Sequence, residues 1–193
     1  MKRVLTILFL GICALNYAQT KYTYYLTGRP FSVERNNAIR TVGLEWNILF
    51  TYAGNDVVET QGLESINKNN DSVSALVGTE TKLGEEWLNT FYAQVDEEEK
   101  IQNKIRKEIK EQAHYKEMDR KMVETFLFFT KEKKWFHSLY TVYIVGLSRD
   151  QIVMTYASHG SFSVKVKKKK QIINLLDSSK GTLPFTLPQN GIF

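Results

Sequence analysis

Two runs of large, alternating side chains constrain this fold more than any other part of the sequence: Val123–Thr130 (VETFLFFT) and Ser138–Leu147 (SLYTVYIVGL). Both are dense in aromatic and β-branched residues, which suit a pleated, half-buried surface. The stretch Lys131–His137 joins them. That spacing predicts an antiparallel hairpin whose basic loop is tipped by Trp135 and Phe136. An isolated hairpin is marginal in water, so other elements must cover it.

The rest of the chain supplies candidates. Lys21–Thr27 (KYTYYLT) reads as a strand closed by Gly28. Ser32 is a good helix N-cap, and Ala38, Ile39, Val42, Gly43 and Trp46 recur at helical spacing behind it. Asn47–Ala53 then changes to a two-residue rhythm, with Ile48, Phe50 and Tyr52 on one face. Strand, helix and strand within about 35 residues is the length of a βαβ-type unit. Val57–Lys82 is polar, with Asn67, Asn69 and Asn70, and carries no clear element signal.

From Leu83 the helical rhythm returns through Trp87, Leu88, Phe91 and Val95, and continues as a thin stripe of Ile101, Ile105 and Ile109. One helix from Glu85 to Gln112 would reach about 42 Å, longer than a small domain is wide. That predicts either a break near Asp96 or a helix projecting from the body. Three isoleucines are too few heptads for a coiled coil, so one edge of a solvated helix is expected to be buried. Ser148 and Gln151 form a capping-box pattern before Ile152, Val153 and Tyr156, which fit a helical face, with a strand as the alternative. Phe162, Val164 and Val166 alternate as in a strand. Asp177–Phe193, with two prolines and two glycines, reads as an extended tail.

These elements predict an α+β fold: a small mixed or antiparallel sheet of about four to five strands, helices on one face and a long charged helix inserted midway. Tyr24, Trp46, Phe50, Trp87, Phe126, Phe128 and Tyr143 are expected to supply much of the core. One domain is expected over residues 19–176, with the tail at 177–193.

The amino terminus has the form of an export signal. Lys2 and Arg3 precede an almost wholly apolar run, Val4–Leu15, too short to anchor in a bilayer of about 30 Å. Ala18 supplies the small residue that a signal peptidase requires. Residues 1–18 are therefore read as a signal peptide, which gives an exported, periplasmic or outer-membrane-associated protein beginning near Gln19. Cys13 offers a competing lipoprotein processing site after Leu10-Gly11-Ile12, but Ile12 stands where that enzyme takes a small residue. A soluble form is favoured over one lipidated at Cys13.

Cys13 is the only cysteine, so the exported chain has no thiol for disulfides, thiolate catalysis or cysteine-ligated metals. Loss of Lys2 and Arg3 lowers the net charge from +5 to +3. So small an excess does not indicate nucleic acid.

His114, His137 and His159 lack the two- to four-residue spacings of common metal sites. There is no phosphate-cradling glycine loop, dinucleotide fingerprint or Gly-x-Ser-x-Gly elbow. Neither a catalytic group nor a cofactor is indicated. Asp96-Glu97-Glu98-Glu99 reads as a favourable anionic cluster or a solvated face rather than a catalytic group, since consecutive helical residues point in different directions. The concentrated basic feature is Lys165 with Lys167, Lys168, Lys169 and Lys170. Its plain reading is an edge strand guarded by lysines. Its functional reading is contact with an anionic surface, joined by Trp135 and Phe136 among Lys131, Lys133 and Lys134.

Tyr24–Gly54, followed by VETFLFFT…YTVYIVGL and SRDQIVMTYA, resembles a small Gram-negative envelope-lipoprotein family, also related to the N-terminal module of the flagellar-assembly T protein. The likeness is one of pattern over roughly half the exported chain. It implies a compact α+β envelope domain without known enzymatic activity and transfers no functional residue. The first expectation is thus a non-catalytic envelope or periplasmic protein acting through contact with an envelope protein. The alternatives are an exported hydrolase whose residues converge only in three dimensions, and a binder of anionic lipid or lipopolysaccharide through its lysines.

Overall fold

A computed structural model describes residues 20–53, 60–148, 157–167 and 172–179. Chain order is β1 (Tyr22–Leu26), α1 (Val33–Glu45), β2 (Ile48–Tyr52), α2 (Thr60–Thr81), a short 3-10 turn (Gly84–Glu86), α3 (Trp87–Lys110), α4 (Ala113–Arg120), β3 (Met122–Lys133), β4 (His137–Ser148), β5 (Ala157–Lys167) and β6 (Ile172–Ser179). The fold is α+β, with β1–β2 in one sheet and β3-β4-β5-β6 in another. The chain divides into two compact units. One holds residues up to Arg29 together with Val42–Tyr92, and the other holds Pro30–Thr41 together with Ala93–Phe193.

In the first unit β1 and β2 run parallel, with Tyr22 opposite Ile48 and Leu26 opposite Tyr52. Their connection is α1, whose start is capped as the sequence predicts: the Ser32 hydroxyl accepts the Arg35 backbone N–H. The helix stops without a glycine. Asn47 takes the left-handed turn instead, at φ 58°, a conformation its short polar side chain tolerates. Gly43 lies where a Cβ would stand 2.7 Å from the Ile48 carbonyl, so the helix can pass the strand only with no side chain there.

Tyr24, Trp46, Phe50, Trp87 and Phe91 form a ring cluster in this unit, with Trp87 and Phe91 fully buried and the other three half-buried. Phe50 stacks on Phe91 at 4.5 Å, Trp46 meets Phe91 edge-on at 5.7 Å and Tyr24 meets Trp87 edge-on at 5.7 Å. Such geometries each add about 0.5–1.5 kcal/mol beyond the area they bury.

The stretch 57–82, which gives no element signal, contains the 22-residue helix α2. Its asparagines explain its polar character. Asn70 Nδ2 donates to the Tyr25 carbonyl at 2.8 Å while Asn70 Oδ1 accepts the Tyr25 N–H at 2.9 Å. Asn69 donates to the Thr23 carbonyl at 2.9 Å. These bonds occupy the side of β1 turned away from β2, so the amides stand in for a third strand.

The second unit carries the expected hairpin. β3 pairs antiparallel with β4, bringing Phe129 opposite Val142 and Lys131 opposite Tyr140. β5 follows antiparallel to β4, and β6 to β5. Leu127, Phe129, Tyr140, Val142, Ile144, Phe162, Val164 and Val166 form one buried cluster with Ile105 and Ile109 of α3 and Tyr115 of α4. Here too a helical asparagine serves the outer edge of the sheet. Asn37 of α1 donates to the Leu127 carbonyl at 3.1 Å and accepts the Phe129 N–H at 3.4 Å.

Several expectations change. The strands occupy two sheets rather than one. α3 runs unbroken past Asp96, and buried positions recur as far as Ile109, so it is packed along its length rather than projecting. β5 is an inner strand between β4 and β6, not a lysine-guarded edge. Of the expected core aromatics, Trp87, Phe128 and Tyr143 are buried, whereas Tyr24, Trp46, Phe50 and Phe126 are half-buried. β6 reaches Ser179, into the stretch read as a tail. The signal residues 1–18, the helix read at Ile152–Tyr156 and residues 180–193 lie outside the described residues.

Candidate functional site

The hairpin strands extend further than their sequence pattern indicates, to Lys133 and from His137, so the turn consists of Lys134, Trp135 and Phe136. It is closed by the Lys134 N–H donating to the His137 carbonyl at 2.9 Å. Trp135 is 85% exposed and Phe136 78% exposed, their rings meeting edge-on at 6.2 Å. No other large apolar side chains among those described are so open.

The strand order then brings distant lysines to this tip. His137 lies opposite Lys167, and Lys133 opposite Ser138, which lies opposite Val166. Lys165 and Lys167 therefore arrive at the same end of the sheet as Lys133, Lys134 and Trp135. Because neighbouring strand residues point to opposite faces, Lys133 shares the face of Val166, whereas Lys165 and Lys167 take the other. The acidic residue here is Glu132, which pairs with Lys134. Lys168, Lys169 and Lys170 lie outside the described residues, in the connection between Lys167 and Ile172. Lys131 leaves this group, because its ammonium turns inward.

Its partner is the feature that the sequence hides. Glu98, read as part of a solvated face, is 3% exposed. Its carboxylate accepts Lys131 Nζ at 2.6 Å, the Tyr140 hydroxyl at 3.1 Å and Gln102 Nε2 at 3.1 Å. Gln102 also donates to the Thr41 hydroxyl at 3.1 Å and accepts from Arg106 at 3.4 Å. Burial pulls the Arg106 guanidinium below its ordinary value, and it lies 4.8 Å from the Phe129 ring centre. With three protein donors on it, the Glu98 carboxylate is built as an anchor rather than as an acceptor for a substrate proton. The clue in the sequence is the four-residue spacing of Glu98, Gln102 and Arg106 beside the isoleucine stripe.

Two other acidic residues of the run tie α3 to α1, while Glu97 stays exposed and pairs with Lys100 one turn on. Asp96 and Glu99 both pair with Arg35 of α1, Glu99 at 2.9 Å. His114 lies edge-on to Phe162 at 5.9 Å. Among the described residues no three His, Cys, Asp or Glu side chains gather as a metal site, and no helix is long and apolar enough to cross a membrane. Comparison with protein-family models, curated proteins and solved structures yields no match.

Proposed function

We propose that this chain is an exported, non-catalytic component of the cell envelope that works by surface contact through the basic, aromatic end of its four-stranded sheet. The carrying observation is the exposure of Trp135 and Phe136 at the tip, 85% and 78%, beside lysines drawn from two strands. Two adjacent rings left in water cost free energy that burial against a partner recovers, at about 25 cal/mol per Å². The leader-like residues 1–18 and the likeness of Tyr24–Gly54 to small envelope lipoproteins support the compartment.

A photoreactive phenylalanine analogue placed at Phe136 tests the contact face, with the same analogue at Leu76, a 51% exposed position on α2, as the reference. Crosslinking to envelope material from Phe136 well above Leu76 is expected. Equal yields overturn the reading. Intact mass of the exported form tests the compartment: a chain beginning at Gln19 is expected, and one carrying acyl chains on Cys13 would replace release with anchoring.

A further inference from the structure

We infer that the envelope component met by this end of the sheet is an anionic membrane surface, into which Trp135 and Phe136 insert while Lys133, Lys134, Lys165 and Lys167 meet the lipid phosphates. The inference rests on the contact-face reading above and names its partner.

The distribution of charge carries it. Lys133 lies on one face of the sheet and Lys165 and Lys167 on the other, and the two exposed rings occupy the turn at the same end. A protein partner docking on one face would leave charge from the opposite face unused. A plane of headgroups met end-on uses both sets at once. β3 and β5 are two strand spacings apart, about 10 Å. Projecting from opposite faces as well, Lys133 and the β5 lysines are set to meet separate anionic groups, as in an array of lipid phosphates.

The tip has the chemistry of an interfacial anchor. Tryptophan pairs an apolar ring with one polar N–H, the combination that settles at the membrane–water boundary. Phe136 supplies purely apolar area beside it. With Glu132 counted against the four lysines, these described residues carry a net +3. Each lysine near an anionic leaflet contributes on the order of fivefold in binding.

Flotation of the purified protein with vesicles tests this. Binding is expected to vesicles containing about one third phosphatidylglycerol, to be absent with phosphatidylcholine alone, and to weaken steeply with salt. The triple variant Lys133→Glu/Lys165→Glu/Lys167→Glu should lower it by roughly 100-fold or more. Trp135→Ala/Phe136→Ala should lower it about tenfold. Trp135→Phe, which keeps the apolar ring, should retain most of the binding while losing the lipid-induced blue shift of indole fluorescence.

Binding that survives both multiple variants overturns the inference by placing the lipid contact elsewhere. Absence of vesicle binding while Phe136 still crosslinks to envelope material makes the partner a protein. That outcome overturns the lipid inference and leaves the contact face standing. Unchanged circular dichroism in the variants shows that the fold is retained.

Discussion

In the first unit the sheet is backed by rings: Phe50 on Phe91, Trp46 edge-on to Phe91 and Tyr24 edge-on to Trp87. In the second, the buried side of α3 carries a charge-bearing stripe, Glu98, Gln102 and Arg106, beside an apolar one, Ile101, Ile105 and Ile109. Both units nevertheless finish an outer strand in the same way, with a helical asparagine whose amide replaces a missing strand. The difference teaches where specificity comes from. Stacked rings supply area and tolerate small shifts, whereas a buried carboxylate with three donors fits only when α3, β3 and β4 are in register. The price of that specificity is desolvation, which makes a broken pair far worse than no pair.

The largest effect is expected from Phe91→Ala, which empties the middle of the ring cluster. Phe91 is fully buried, and such truncations cost about 3–5 kcal/mol. Chemical denaturation monitored by tryptophan fluorescence measures it. A loss under 1 kcal/mol would show that the rings are peripheral to this unit.

Lys131→Met comes next, because it strands the Glu98 carboxylate among Tyr140 and Gln102. A loss of about 3 kcal/mol is expected. The double variant Glu98→Gln/Lys131→Met, which keeps an acceptor but no charge, should recover most of that. Additive losses in the cycle would contradict the account of the pair as a matched unit.

The asparagines compare the two units directly. Asn37→Ala and Asn70→Ala each orphan a strand N–H and carbonyl, at about 1–3 kcal/mol per variant. Asn37, 2% exposed, should cost more than Asn70, where water can enter. Thermal unfolding of both variants ranks them, and a larger loss at Asn70 would reverse the argument.

The smallest effect is a pH dependence carried by Tyr115 of the second unit. Burial, then Asp119, push the Tyr115 phenol up to about 12 from an ordinary 10.0. The folded state thus holds its proton longer than the unfolded chain does. The contribution is fully present below pH 10 and is lost as pH rises toward 12, by about 1–2 kcal/mol. Tyr115→Phe should abolish that slope. An identical alkaline slope in the variant would assign it to another group.

What the sequence disclosed follows from how local each signal is. The Ser32 cap, the hairpin and the strand–helix–strand opening rest on neighbouring residues, and all were legible. α2 was obscured because Asn69 and Asn70, poor helix formers, are kept for bonds to strand residues 46 and 45 positions away. Glu98 reads as solvated in the sequence for the same reason: its partners Lys131 and Tyr140 lie 33 and 42 positions on. The ringed tip was visible from composition. The arrival of Lys165 and Lys167 beside it, on the face opposite Lys133, needed the strand order.

The Asn70 amide also acts as a length gauge. It grips the N–H and carbonyl of one residue, Tyr25, and helical phase decides where it points. One extra residue within α2 between Asn70 and the buried Val77 would turn the amide about 100° away from the strand. The same residue added between Ala53 and Thr60 leaves the phase of α2 unchanged. Changes in chain length should therefore be rejected inside the helix between Asn70 and Val77.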